Sequence, residues 1–270
     1  MKIVSSGRVI NSREFYEKKK KRRRVKFVFF SIGFILILVS FVYLSRQEKF
    51  LITEVRVLGE NIVDKEELAQ VVRRELAGYY FLVVPRTNTF LYPRRLIKQS
   101  LVEEFPRLKS VDFDLSGLRE LLITIEEHVP FALYCNPECF FLDEDGFIFA
   151  PAPSFSAGVY FIYTTSNPVL SPIGKRFITT EEFKSLSKFI ADLAPLDIQP
   201  STLETGEDNY ILGLAEGGQI IWQREGNLAL IHSNLEAFLS DEAIRAQGDF
   251  LDRIRYLDLR TENKVFYKFK

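Results

Sequence analysis

The sequence predicts an α+β protein with a single transmembrane helix, a first extracytoplasmic domain of βααββ order, and a larger β-sheet-rich domain with two or so helices. An uncharged run of 18 residues follows a block of cations. Patterns of a strand, two helices and two strands then follow up to Glu127, and period-two apolar patterns dominate from Pro130 onward. We therefore divide the chain into a basic cytoplasmic arm (1–26), a transmembrane helix (27–44), a linker (45–51) and two domains (52–129 and 130–270).

The composition supports a packed core and disfavours a metal- or histidine-based active site. The 270 residues are 47% hydrophobic and 27% charged, so extensive disorder is not expected. The formal net charge of zero conceals an asymmetry, because residues 1–26 carry 11 Lys and Arg against two Glu. His128 and His232 are the only histidines, and there are two cysteines.

The transmembrane prediction depends on the stretch Phe27–Leu44. At about 1.5 Å per residue an 18-residue helix reaches roughly 27 Å, close to the thickness of the hydrocarbon layer. A buried core helix and a cleavable signal are the alternatives. The apolar region of a signal is shorter and precedes a small-x-small cleavage site, which the SRQEKF that follows does not provide. We expect an uncleaved anchor.

A block of cations predicts the orientation of this anchor. Positive residues next to a span remain on the cytoplasmic side, so the N-terminus is expected inside and both domains outside. A nucleic-acid patch is the alternative, but no aromatic residues interleave the block and it adjoins the span. The membrane-orienting residues are Lys18, Lys19, Lys20, Lys21, Arg22, Arg23 and Arg24.

The first domain is predicted from local signals. Val55 and Val57 share one face of a short strand, and Asp64 is suited to cap a helix with Glu67 three residues later. A second helix opens at Pro93. Two strands follow over 111–115 and 121–126, joined by a turn at SGLR.

The second domain is predicted as hairpins with two helices. Asp145-Gly146 is a strong two-residue hairpin signal, and Glu216-Gly217-Gly218 marks another turn. Thr179 and Glu182 fit a capping box for one helix, and a second apolar stripe runs from Leu228 to Leu239. The chain ends in two strands around Thr261-Glu262-Asn263.

Cys135 and Cys139 flank a three-residue turn, which allows a disulfide in an oxidising compartment. Two free thiols are the alternative. Zinc would need two further ligands, and only His128 is close in sequence, so metal is disfavoured.

Catalytic motifs are absent from the sequence. It contains no G-x-S-x-G elbow, no G-x-x-x-x-G-K phosphate loop and no H-E-x-x-H pair. Asp143, Glu144 and Asp145 lack the alternating ligands of a calcium loop and are better explained by a hairpin turn, and His232 is expected at a surface or boundary. We expect a protein that is not an enzyme, with no cofactor and no small-molecule substrate.

Several of these segments resemble the FtsQ/DivIB family of bacterial cell division proteins. TEVRVLGENIVDKEEL is similar to the opening of the family's POTRA domain, the polypeptide-transport-associated module, and FPRLKSVDF with LLITIEEHVPFALY is similar to its close. The terminal RIRYLDLRTENKVFYKFK is similar to the end of the family's β-domain. The resemblance spans nearly the whole chain, and the order of the motifs is its most specific part.

The resemblance implies a divisome scaffold of the cytoplasmic membrane, located at the septum and linking other septal membrane proteins. The end of the β-domain would hold an FtsB/FtsL-like coiled-coil pair. From the residues alone, the last strand is either a binding edge, with Phe266 left on its polar face, or simply the end of a sheet. The resemblance assigns partner binding to Tyr256, Leu259, Arg260, Val265, Phe266, Tyr267 and Lys268.

Three other classes stay open. A membrane-anchored extracytoplasmic sensor has the same topology, but the arm is too short for a signalling domain. The second class is a POTRA-type chaperone of envelope protein assembly, although no series of barrel strands follows. An anchored cell-wall enzyme is the third, and the sequence offers it no nucleophile or metal set.

Overall fold

A computed structural model describes residues 13–246, 248–262 and 264–270 of the chain. The fold is mixed α and β, with a long apolar N-terminal helix and a large sheet-rich region, as the sequence predicts. The helices are α1 (Arg13–Ser45), α2 (Lys65–Leu76), α3 (Arg94–Glu104), α4 (Thr180–Ala191), α5 (Leu228–Ser240), α6 (Glu242–Arg245) and α7 (Phe250–Arg253). The first 12 residues of the basic arm and Asn263 of the predicted final turn lie outside the described residues.

The strands are short, and most belong to the sheet-rich region. They are β1 (Glu54–Leu58), β2 (Tyr79–Tyr80), β3 (Val84–Pro85), β4 (Leu108–Ser116), β5 (Glu120–Glu127), β6 (Ala132–Cys135), β7 (Cys139–Leu142), β8 (Phe147–Pro151), β9 (Ile162–Thr165), β10 (Lys175–Arg176), β11 (Pro200–Thr205), β12 (Asn209–Leu214), β13 (Gln219–Gln223), β14 (Ile254–Asp258) and β15 (Phe266–Phe269).

Helix α1 is long and apolar enough to cross a membrane over Tyr16–Ser45. It extends further toward the N-terminus than the predicted 27–44, because Lys and Arg are good helix formers and continue the helix through the cationic block. Large apolar side chains along it, such as Phe30 and Ile37, are exposed in this structure.

The described residues form two compact units. The first contains 13–58, Asp64–Gln99 and Asp112–Thr124, and the second contains Gly59–Val63, Ser100–Val111 and Ile125–Lys270. The boundary therefore crosses α3, β4 and β5.

A small sheet with strand order β1-β5-β4 pairs β1 parallel to β5. In the first unit, Asp64 caps α2 by accepting hydrogen bonds from the backbone N–H groups of Glu66 and Glu67, as its position before the helix predicts. The segment that follows α2 forms a β2-β3 hairpin, with Val84 paired to Tyr80.

In the second unit, the described residues form a large sheet of order β10-β8-β7-β6-β9-β11-β12-β13-β14-β15. Helix α4 is capped by Thr179, whose hydroxyl accepts from the backbone N–H of Glu182. Its Phe183 and Leu186 are buried in a core that also contains Trp222. The sheet includes β11, which the sequence did not predict, because its mostly polar residues give a weak local signal. Pairing with β9 and β12 on both sides stabilises it.

A hairpin turn joins β7 to β8, as predicted. It is longer than the predicted two-residue turn, because the four residues Asp143 to Gly146 separate the strands and only Gly146 among them has a positive φ. Asp143 Oδ1 accepts hydrogen bonds from the backbone N–H groups of Asp145 (2.9 Å) and Phe147 (2.8 Å). Gly146 has φ +75°, and a Cβ there would lie 2.9 Å from the ring of Phe183. Glycine is therefore required both by the backbone conformation and by the available space.

Candidate partner-binding surface

The candidate surface is the terminal hairpin β14-β15. Within the described residues, β15 is the last strand of the large sheet and pairs only with β14, so its other edge is open. Backbone N–H and C=O groups at such an edge can accept a further strand.

The register of the hairpin separates two faces. Tyr256 lies opposite Lys268 and Asp258 opposite Phe266, while Leu257 lies opposite Tyr267. Leu257 is fully buried in the core, so its partner Tyr267 faces inward. The remaining positions form an outer face, on which the side chain of Phe266 is 52% exposed.

Tyr267 belongs to an aromatic cluster. Its ring centroid lies 5.7 Å from that of Phe238, 5.5 Å from Phe250 and 5.5 Å from Phe269. These are the distances of favourable tilted and edge-to-face contacts. Although 42% of Tyr267 is exposed, one side of its ring holds the last strand against α5 and α7.

Other predicted contact residues differ in accessibility. Leu259 is buried in the hydrophobic core, and its backbone N–H donates to Ile221 O at 2.8 Å. Val265 and Tyr256 are half-buried, whereas Lys268 is exposed. In this structure the outer face of the hairpin presents Phe266 and Lys268 most openly.

Arg260 is exposed and paired within its own turn. Its Nε donates to both carboxylate oxygens of Asp258, at 2.9 and 3.1 Å, and its Nη2 lies 2.6 Å from Oδ2. These hydrogen bonds from Arg260 outweigh the effect of burial and lower the pKa of Asp258 below its ordinary value. A partner that used Arg260 would have to share it with Asp258.

Hydrogen bonds fix the position of Lys270, the residue that follows β15. Lys270 donates from Nζ to the backbone carbonyls of Glu216 and Asp252, and its backbone N–H donates to Arg253 O at 3.0 Å. Strand β15 is therefore fixed both by its pairing with β14 and by the contacts of Lys270, so its open edge is preorganised to accept a further strand.

The cysteines predicted as a candidate disulfide lie at the end of another hairpin. Cys135 and Cys139 are paired in the β6-β7 register and are joined by a disulfide. Among the residues that the structure describes, no cluster of three or more His, Cys, Asp or Glu side chains could hold a metal ion.

His128 is a structural residue that sequence reasoning considered only as a zinc ligand. Its Nδ1 lies 2.7 Å from Asp143 Oδ2, and both side chains are buried. No local signal identifies this pair, because 15 positions separate the two residues along the chain. His232, expected at a boundary, is half-buried, with Nε2 3.0 Å from the carbonyl of Asp192.

Comparison with known proteins adds no identification. No protein-family model matches this chain, and no curated protein matches it.

Proposed function

We propose that this protein is a non-enzymatic scaffold of the bacterial division site, anchored in the cytoplasmic membrane, whose last strands bind an FtsB/FtsL-like coiled-coil pair. The observation that carries the proposal is the open edge of β15 with Phe266 exposed on it. The resemblance of the sequence to the FtsQ/DivIB family supports it, as does the βααββ order that the sequence predicts for residues 52–129.

The chemistry of the edge indicates what it would bind. An extended segment of the partner, outside its coiled coil, adds to β15 through main-chain hydrogen bonds, and Phe266 covers an apolar side chain of that segment. Lys264 and Lys268 are exposed on either side of Phe266, so an acidic segment is favoured. Tyr256, Leu259, Arg260, Val265 and Tyr267 contribute by shaping the hairpin that carries the edge.

Helix α1 supplies the anchor in this proposal. Its cationic block keeps the N-terminus in the cytoplasm, and the two units are exported. The protein would then collect other septal membrane proteins around its POTRA-like and β-domains, at the outer surface of the cytoplasmic membrane.

Co-purification tests the proposal directly. The full-length chain carrying Phe266→Asp should lose an FtsB/FtsL-like pair that the unaltered chain retains, because a carboxylate replaces the apolar contact and faces an acidic partner. Leu170→Asp is a matched control, since Leu170 is 81% exposed in the same unit but distant in sequence from the hairpin. Circular dichroism should show both variants folded.

Two outcomes would contradict the proposal. One is full retention of the pair by the Phe266→Asp variant. The other is a uniform envelope distribution of a fluorescent fusion, where the division role requires a ring at mid-cell.

A further inference from the structure

We propose that the tip of the β2-β3 hairpin and the nearby turn insert into the same bilayer that α1 spans, at the leaflet where α1 ends. We call this surface the juxtamembrane apolar patch, and its residues are Phe81, Leu82, Val83, Phe90 and Leu91. The inference goes beyond the proposed function. It requires a spanning α1 but no role in division.

The patch is unusually exposed for its composition. The side chains of Phe81, Leu82 and Phe90 are 95%, 88% and 70% exposed. Residues 79–92, YYFLVVPRTNTFLY, contain no acidic residue and a single cation, Arg86. Several large apolar side chains exposed within one short segment mark a site of contact with lipid or protein.

Hydrogen bonds place the patch beside the end of α1. Asn88 is buried, and its Nδ2 donates to the carbonyl of Ser45, the last residue of α1, at 3.0 Å. The Nε of Arg46 donates to Val83 O at 2.8 Å, within the tip of the hairpin. The guanidinium of Arg46 also lies 6.0 Å from the ring centroid of Tyr79. All of these residues belong to the first unit.

A small cavity indicates the level of Phe90 and Leu91 relative to α1. The cavity, of about 290 Å³, is lined by Phe41 and Leu44 of α1 together with Phe50, Phe90 and Leu91. Phe41 lies three residues inside the end of the predicted span, which is roughly 4.5 Å along the helix axis. Because Phe90 and Leu91 line the same cavity as Phe41, they lie at the level of the last turn of the span. Because these two residues of the patch adjoin the span, we take lipid as the molecule that covers the patch.

The backbone conformation at the tip of the hairpin supports a role for Phe81 and Leu82 in contacting the membrane. Phe81 and Leu82 have φ values of +48° and +64°, a region that bulky residues rarely adopt. Two positive φ values at the centre of a hairpin turn favour Asn-Gly, which would be polar. The chain instead places two large apolar residues there and exposes them.

Polar residues around the patch suit the membrane interface. Tyr79, Tyr80 and Tyr92 have rings that partition between lipid and water. Arg46 and Arg86 lie beside Tyr79 and Tyr80, where cations can contact lipid phosphates.

Site-specific fluorescence can test this contact. A nitrobenzoxadiazole label is attached at Leu82→Cys in the full-length chain, reconstituted into phosphatidylcholine–phosphatidylglycerol vesicles that contain acyl-brominated lipid as a quencher. Phe81→Cys provides a second tip position in case one variant folds poorly. Leu170→Cys is the control of matched exposure, and Leu36→Cys reports the span itself. Cys135 and Cys139 are bonded to each other and take no label.

We expect blue-shifted emission and quenching at Leu82 and Leu36, and neither at Leu170. Leu82 signals equal to those of Leu170 while Leu36 is quenched would overturn the inference and leave the anchor intact. Absence of quenching at Leu36 would instead reject the span on which both proposals depend. A blue shift at Leu82 that disappears as protein is diluted in lipid would show contact with a second copy and would also overturn the inference.

Discussion

His128 and Asp143 form a buried pair, with Nδ1 of the imidazole 2.7 Å from Oδ2 of the carboxylate. The imidazole nitrogen is close to the carboxylate oxygen, but the geometry is not that of a well-directed hydrogen bond. The imidazole stacks on Phe147 and Phe149, with ring centroids 4.8 and 5.4 Å away. Asp143 uses its other oxygen in the 143–147 turn, so one carboxylate joins a hairpin to the residue that follows β5.

Asp143→Asn should destabilise the protein by about 1–3 kcal/mol at neutral pH, because it leaves the imidazole of His128 without its carboxylate partner. The amide still accepts the two turn hydrogen bonds, so the loss measures the contact with His128. Chemical denaturation of both proteins provides the two free energies of unfolding.

The pH dependence of this difference has a defined sign. Burial raises the pKa of Asp143, but His128 and the backbone N–H groups of Phe147 and Asp145 outweigh it, so the pKa is lowered. A lowered pKa contributes stability that is present above the ordinary carboxyl value of about 3.9 and is lost as the pH falls through the lowered value. The difference in the free energy of unfolding between the unaltered protein and Asp143→Asn should therefore decrease in acid. A difference that is constant from neutral pH into acid would exclude this explanation.

Tyr267 and Phe266, adjacent in the last strand, should respond differently to truncation. Tyr267→Ala should cost about 1–3 kcal/mol because it removes a ring that packs on Phe238, Phe250 and Phe269. Phe266→Ala should change stability by less than about 0.5 kcal/mol because that side chain is exposed. Thermal unfolding of the two variants checks the contrast, and equal losses would show that Phe266 packs in the fold. This difference makes Phe266 the better position for binding tests.

Cys135 and Cys139 should not react with an alkylating reagent in the unfolded, unreduced protein, and both should react after reduction, because they are bonded to each other. The disulfide closes a short loop, so Cys135→Ser with Cys139→Ser should cost roughly 2 kcal/mol at most. Mass spectrometry after alkylation counts the labels. Equal labelling with and without reductant would show that the two cysteines are not bonded to each other.

Where the controlling interactions are local, the sequence is sufficient. The apolar length of α1, the caps at Asp64 and Thr179, and the turn at Asp145-Gly146 each depend on residues within a few positions of one another. Such contacts depend little on the rest of the chain, so an α+β fold with an apolar N-terminal helix could be predicted.

Tertiary structure alone decided which residues of the candidate surface are accessible. The alternating pattern of the last strands does not reveal that Leu259 is buried, or that Tyr267 packs on residues of α5 and α7. Elsewhere in the chain, no local pattern indicates that His128 contacts Asp143, or that residues 83 and 88 lie at the end of α1. These relationships join positions far apart in the chain, and their energies exist only once the intervening elements have packed. The sequence by itself determined the capped helices and the apolar length of α1, whereas long-range packing determined β11 and the surfaces that the elements present.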